Sequence, residues 1–144
     1  MSKRVMIVGP ARSGKTTLAN LLNHVQGPAR RTQDIIYGKN TIDVPSAFIE
    51  NTWMYKHLIA LAQQASHVLI LIDPSKKTAV YSPGFAKAFQ CPVIGVITKA
   101  DEMGENEAQG LQQLREIGIN PPYYLISVSM NIGLEALRAR LFLE

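Results

Sequence analysis

The chain has 144 residues, 47% of them hydrophobic and 18% charged, with one cysteine and a net charge of +4. This is the size and composition of one folded domain with a sizeable core, which excludes a disordered chain, and the lone Cys91 excludes an internal disulfide framework. The basic residues fall in scattered pairs (Lys3-Arg4, Arg30-Arg31, Lys76-Lys77) without interleaved aromatics, which describes a solvated surface rather than a nucleic-acid patch.

Residues 5–8 form a short apolar, β-branched run that stops at Gly9 and reads as a buried strand. Leu18, Leu21, Leu22 and Val25 then share one helical face, so a helix is expected from near Gly14 to before Gly27-Pro28. Residues 26–33 are polar with Gly and Pro and form a loop. Residues 34–37 and 40–43, punctuated by Gly38, are either a strand pair or one irregular strand, and the first is a candidate exposed edge that could pair with another copy. Ile49, Trp53, Met54, His57, Leu58, Leu61 and Ala65 recur at helical spacing, predicting a helix from about 47 to 64. Trp53, Tyr55, Tyr123 and Tyr124 are expected to pack in the core or at its rim. His57 shares a helical face with Trp53, and His67 precedes a strand; neither has a carboxylate partner in the sequence.

Residues 68–72 are a continuous apolar strand ending at Asp73-Pro74, and a short helix is expected over 85–89. Cys91, read as a small buried hydrophobe, leads into a third apolar strand at 92–97. Leu111, Leu114 and Ile117 mark a helix ending at Gly118. Residues 123–126 are a strand, and Leu134, Leu137 and Leu141 define a last helix. Strands alternate with helices, and three strands are apolar at every position. That pattern predicts an α/β architecture, one domain over residues 1–144 with a mostly parallel sheet and helices on both faces. The apolar runs fall far short of the ~20 residues of a membrane span. Lys3-Arg4 is followed by few apolar residues before Gly9-Pro10, so no signal peptide and a cytoplasmic location are expected.

The chemistry begins at Gly9-Pro10-Ala11-Arg12-Ser13-Gly14-Lys15-Thr16, which fits G-x-x-x-x-G-K-[ST] between a predicted strand and a predicted helix. Successive backbone N–H groups of such a loop wrap a phosphate, and the helix turns its positive end to it. Gly9, Ala11, Arg12, Ser13, Gly14, Lys15, Thr16 and Thr17 are the candidate phosphate binders. Lys15, reaching the β- and γ-phosphates, is the catalytic candidate, and the Thr16 hydroxyl is a hard oxygen ligand for Mg²⁺.

The strand at 92–97 runs into Thr98-Lys99-Ala100-Asp101, which resembles the [NT]-K-x-D guanine-reading motif of translation-factor and Ras-like GTPases. A carboxylate at Asp101 can accept two hydrogen bonds from guanine N1–H and the N2 amine, donors that adenine lacks there. The Lys99 stem would lie over the base and Thr98 would brace the loops. GTP or GDP is therefore expected ahead of ATP.

Over nearly its whole length the chain also resembles the EutP/PduV family of small P-loop GTPase-like proteins. The residues that carry this are KRVMIVG at 3–9, Arg31-Thr32-Gln33, Thr41-Ile42-Asp43, Ile49-Glu50-Asn51, Tyr81-Ser82-Pro83-Gly84-Phe85 and PVIGVITKAD at 92–101. The resemblance implies a three-layer P-loop NTPase fold of Ras-like type. It makes Thr32 a switch threonine, sets Asp43 facing Mg²⁺ beside Thr16 and Thr32, and makes Ser127, Val128 and Ser129 the last base loop. It further implies a role in ethanolamine or propanediol utilisation, association with a bacterial microcompartment, and a shell or enzyme protein as partner. With the phosphate loop starting at residue 9, no N-terminal extension is expected as an encapsulation tag.

The family's second switch motif is D-x-P-G, whereas this chain has Asp43-Val44-Pro45-Ser46, followed by Ala47 where Ras-like enzymes place a water-orienting glutamine. Slow or partner-dependent hydrolysis is expected. Two other readings stay open: a small phosphotransferase passing a γ-phosphate to a carboxylate or hydroxyl, and a non-catalytic module that retains nucleotide binding for stability.

Overall fold

A computed structural model describes residues 4–10, 15–23, 35–38, 40–73, 81–100 and 107–142, with only the backbone of residues 16, 36 and 52. Its strands are β1 (Arg4–Val8), β2 (Ile36–Tyr37), β3 (Thr41–Asp43), β4 (Ala65–Ile72), β5 (Val93–Ile97) and β6 (Tyr124–Leu125). They form one sheet in the order β2-β3-β1-β4-β5-β6, parallel except for the β2–β3 pair. The helices are α1 (Lys15–Leu22), α2 (Ala47–Glu50), α3 (Tyr55–Ala62), α4 (Glu107–Ile117) and α5 (Leu134–Phe142). The expected α/β class, with helices on both faces of a mostly parallel sheet, is what the chain adopts.

The continuous apolar strands follow from this layering. Side chains alternate across a strand, so a strand covered on both faces must be apolar at every position. Met6 and Val8 of β1, with Val68, Ile70 and Ile72 of β4, enter the layer that holds Ile49, Leu58, Leu114 and Ile117. Val5, Ile7, Leu69 and Leu71 enter the opposite layer with Leu18, Leu22, Leu134, Leu137 and Leu141.

Of the two segments expected as a strand pair or one irregular strand, Ile36–Tyr37 and Thr41–Asp43 form the antiparallel β2–β3 pair, with β2 at the sheet edge. The helix expected over 47–64 is broken. The helical run α2 stops at Asn51, whose backbone is extended (φ −117°, ψ 110°) and whose Nδ2 donates to the Ala47 carbonyl at 2.9 Å. An asparagine amide that takes a helix carbonyl competes with continuation of the helix. A 3₁₀ turn (Thr52–Met54) then shifts the phase, so Trp53 is 67% exposed instead of packed in the core or at its rim. His57 is exposed too, its ring edge-on to Phe48.

His67 lies within β4 and is buried, since β4 starts three residues earlier than its apolar run. The Arg140 guanidinium donates to His67 Nε2 at 3.2 Å; that nitrogen is therefore the acceptor, and Nδ1 carries the proton toward Ser66 Oγ at 2.9 Å. Cys91 is half-buried against the core. Among the described residues no helix is long and apolar enough to cross a membrane.

Candidate functional site

The parallel strands end on one edge of the sheet, and the residues singled out by motif follow those ends. Chain order reverses beside β1, whose neighbours are β3 on one side and β4 on the other. In open α/β sheets the crevice outside such a switch point is where ligands sit.

After β1, Gly9 and Pro10 are buried, and α1 starts at Lys15 with its N-terminus toward the same edge. The Lys15 ammonium, half-buried, donates to the Pro10 carbonyl at 3.3 Å, so it lies over the start of the loop. Thr16 and Thr17 are in the first turn of α1, with Thr17 exposed. Ala11, Arg12, Ser13 and Gly14 lie outside the described residues.

The helix is fixed at its far end by an amide ladder. Asn23 Nδ2 donates to Thr41 Oγ1 at 2.8 Å, and Asn23 Oδ1 accepts the Asn40 N–H at 2.6 Å. Asn40 Nδ2 donates to the Leu22 carbonyl and Arg138 to the Leu21 carbonyl, at 3.0 and 3.1 Å. Two terminal carbonyls of α1 thereby gain donors, as helix ends require.

One strand over, Asp43 closes β3 level with Ile7 of β1 and is buried. The Val44 N–H donates to the Ile7 carbonyl at 3.1 Å, so the polypeptide beyond Asp43 stays bound to the β1 edge. Ser46 has a right-handed helical backbone (φ −59°, ψ −27°), a conformation serine adopts without strain. Its carbonyl accepts the N–H groups of Ile49 and Glu50, so Ser46 starts a helical turn. Thr32 lies outside the described residues.

On the other side of β1, Asp73 follows β4 and Thr98 follows β5. The Thr98 N–H and Oγ1 both donate to the Ile72 carbonyl, at 2.9 and 3.3 Å. Lys99 has φ +55°, and its ammonium pairs with the buried Asp73 carboxylate at 2.9 Å. The Ala100 N–H donates to the Ile126 carbonyl at 2.9 Å, tying this loop to the one after β6. Asp101 lies outside the described residues.

Ser127, after β6, is buried; its N–H donates to the Ile132 carbonyl at 3.0 Å, and its hydroxyl accepts the Met130 N–H at 3.2 Å and lies 3.3 Å from Ser129 Oγ. Ser127 thus closes a tight loop that carries half-buried Val128 and exposed Ser129.

A family model described as ethanolamine utilisation - propanediol utilisation, PduV-EutP, matches residues 2–143. The chain belongs to the PduV-EutP family. It is 35% identical over 99 residues to the propanediol utilization protein PduV of Citrobacter freundii, a match spanning 69% of this chain and 66% of that protein. It is 29% identical over 124 residues to the probable acetate kinase EutP of Salmonella typhimurium (strain LT2), covering 85% of this chain and 78% of that one.

Among solved structures, a probable GTP-binding protein engB superposes with a TM-score of 0.68 at 18% identity, over 96% of each chain. The translation elongation factor SelB of Methanococcus maripaludis, solved with the GTP analogue GppNHp, gives 0.68 at 21% identity over 98% of this chain and 33% of its own. At these identities the likeness establishes the fold, the P-loop GTPase fold expected from the sequence.

For this PduV-EutP family member, spacing and motif missed Asp73, Tyr81 and Asn23. Asp73 had a readable signal, since it directly follows an unbroken apolar strand, as Thr98 follows β5. Tyr81 had none. Its buried hydroxyl donates to the Leu71 carbonyl at 2.8 Å and reaches the Val8 carbonyl at 3.5 Å, bridging β4 and β1 one residue before Gly9. Burial, with a smaller contribution from Tyr55, pushes the Tyr81 phenol well above the ordinary value of 10.0.

Proposed function

We propose that the chain, acting as one domain, binds guanine nucleotides, hydrolyses GTP slowly or only with a partner, and serves ethanolamine or propanediol utilisation. One observation carries the reading: β1 and β5, which lead into the G-x-x-x-x-G-K-[ST] and T-K-x-D sequences, end on the same sheet edge with β4 between them. A phosphate group and a purine base need such a separation, and few other ligands would use both sequences at once.

In this reading the backbone of residues 9–14 and the N-terminus of α1 take the phosphates, and Lys15 supplies a positive charge to them. Thr16, Asp43 and Thr32 would hold Mg²⁺, which is usually bound through one or two carboxylates and completes its shell from phosphates and water. The ion would neutralise charge between the β- and γ-phosphates. Thr98, Lys99 and Asp101 take the base, with residues 127–129 closing over it. Ala47 offers no group to orient water, and Ser46 is engaged in a helical turn, which supports slow turnover. The names of the relatives support the metabolic setting; a microcompartment shell or enzyme protein as partner rests on the resemblance to the family alone.

The relatives named probable acetate kinase favour a second reading, transfer of the γ-phosphate to a small carboxylic acid. Incubation of γ-labelled GTP and ATP with and without acetate separates the two. The first reading expects slow release of free phosphate, unchanged by acetate. Acetate-dependent transfer of label to an acyl phosphate would replace it with the second.

A further inference from the structure

The Asp73–Lys99 pair lies between the tips of β4 and β5, and neither motif accounts for it. The Asp73 side chain is fully buried, while Lys99 is 36% exposed. Residues on each side of Lys99 are pinned: Thr98 to the Ile72 carbonyl of β4, Ala100 to the Ile126 carbonyl beyond β6. Lys99 is the bend between them, with a left-handed backbone that L-residues seldom adopt outside functional or tightly determined sites. From that bend its side chain crosses from the β5 tip to the β4 tip and ends 2.9 Å from Asp73 Oδ2. A buried carboxylate must be matched by a charge, so the ammonium is held there.

We propose that Asp73 is a positioning residue for the base half of the site: it anchors the Lys99 ammonium, so that the lysine presents its methylene stem, not its charge, to the face of a purine. This deepens the nucleotide reading and rests on it. A lysine side chain is four methylenes ending in a charge, and its stem covers apolar surface well when the charged end is satisfied elsewhere. A flat aromatic base is such a surface. With its charge matched by Asp73, Lys99 contributes to base binding without adding to phosphate binding.

The test is the affinity for GDP and GTP of the wild type, Asp73→Asn, Lys99→Met and the double variant, with a thermal melt of each. Each single change is expected to weaken both nucleotides about tenfold, since each breaks the Asp73–Lys99 bond that holds the stem in place. The double variant, with an apolar unbranched stem opposite a neutral amide, is expected to return to within about threefold of wild type, the non-additivity of a directly coupled pair.

A double variant as weak as the product of the two singles would overturn the proposal, as would a loss for GTP much larger than for GDP, which would mean the charge serves a phosphate. Should Asp73→Asn fail to fold, Lys99→Arg and Lys99→Gln carry the test: arginine keeps the pair and stays near wild type, glutamine loses about tenfold. Equal losses in these two would overturn it. A wild type that binds neither nucleotide would sink the nucleotide reading itself and this proposal with it, whereas normal wild-type binding with additive variants sinks this proposal alone.

Discussion

The hydroxyl of Tyr81 donates to the carbonyl of Leu71 at 2.8 Å, from a side chain that is almost wholly buried. The same oxygen approaches the Val8 carbonyl at 3.5 Å, so one phenol spans the two strands that flank the switch point. Its ring packs against Phe85, which in turn meets Phe89 and Tyr55. The Tyr81-Ser82-Pro83-Gly84-Phe85 segment is thus an aromatic wedge beneath the sheet edge. Tyr81→Phe should keep the wedge and lose the bond, costing about 1 kcal/mol in a urea titration.

The raised Tyr81 pKa sets a pH dependence. The folded state keeps the phenolic proton to higher pH than the unfolded state, whose tyrosine titrates near 10.0. Below that value both states hold the proton and stability is unaffected. Above it the unfolded chain binds fewer protons than the folded one, so stability falls as pH rises. Wild type should lose stability more steeply than Tyr81→Phe between about pH 10 and 11, as read by denaturant melts at each pH.

Gly95 and Leu114 are predicted to compensate for one another. A Cβ on Gly95 would sit 2.9 Å from Leu114 Cδ2, inside the α4–β5 packing. Gly95→Ala should cost about 1–3 kcal/mol by overpacking, and Leu114→Ala about 2–5 kcal/mol by leaving a cavity. The double variant should cost less than the sum, because the new methyl occupies space the leucine vacates. Urea titrations of the four chains check this.

Gly133 should be the least replaceable residue of the loop after β6. It has φ +72°, and a Cβ there would run into the Leu125 carbonyl oxygen. Gly133→Ala should cost about 1–3 kcal/mol or more and weaken guanine-nucleotide binding, because the loop closed by Ser127 and Ile132 would shift. Denaturant melts and a nucleotide titration of the variant read both effects.

Turnover should be slow in the isolated protein. With Ala47 in place of a water-orienting side chain, GTP hydrolysis is expected on the order of 10⁻³ s⁻¹ or less. A phosphate-release assay at saturating GTP measures it, and multiple turnover well above that rate would contradict the expectation.

What could be read in the sequence was what repeats or what chemistry spaces regularly. Runs such as 68–72 announced a doubly covered sheet because burial on both faces leaves no polar position. The first three residues of β4 were missed because Ser66 and His67 are polar, and it takes Arg140, 73 residues away, to satisfy the imidazole. The break at Asn51 was equally invisible to hydrophobic spacing, being a single amide competing for the Ala47 carbonyl. The site divides in the same way. The phosphate loop and T-K-x-D are local strings with a mechanism, whereas Asp73 and Tyr81 gain meaning only from strands that the fold sets side by side.

The most direct test is equilibrium binding of fluorescent GDP, GTP, ADP and ATP, with Mg²⁺, to wild type and Asp101→Ala. Wild type is predicted to prefer guanine nucleotides and the variant to lose that preference while still binding through the phosphate loop. Equal binding of adenine and guanine nucleotides by wild type, unaffected by the substitution, would contradict the guanine assignment and leave residues 98–101 a structural loop.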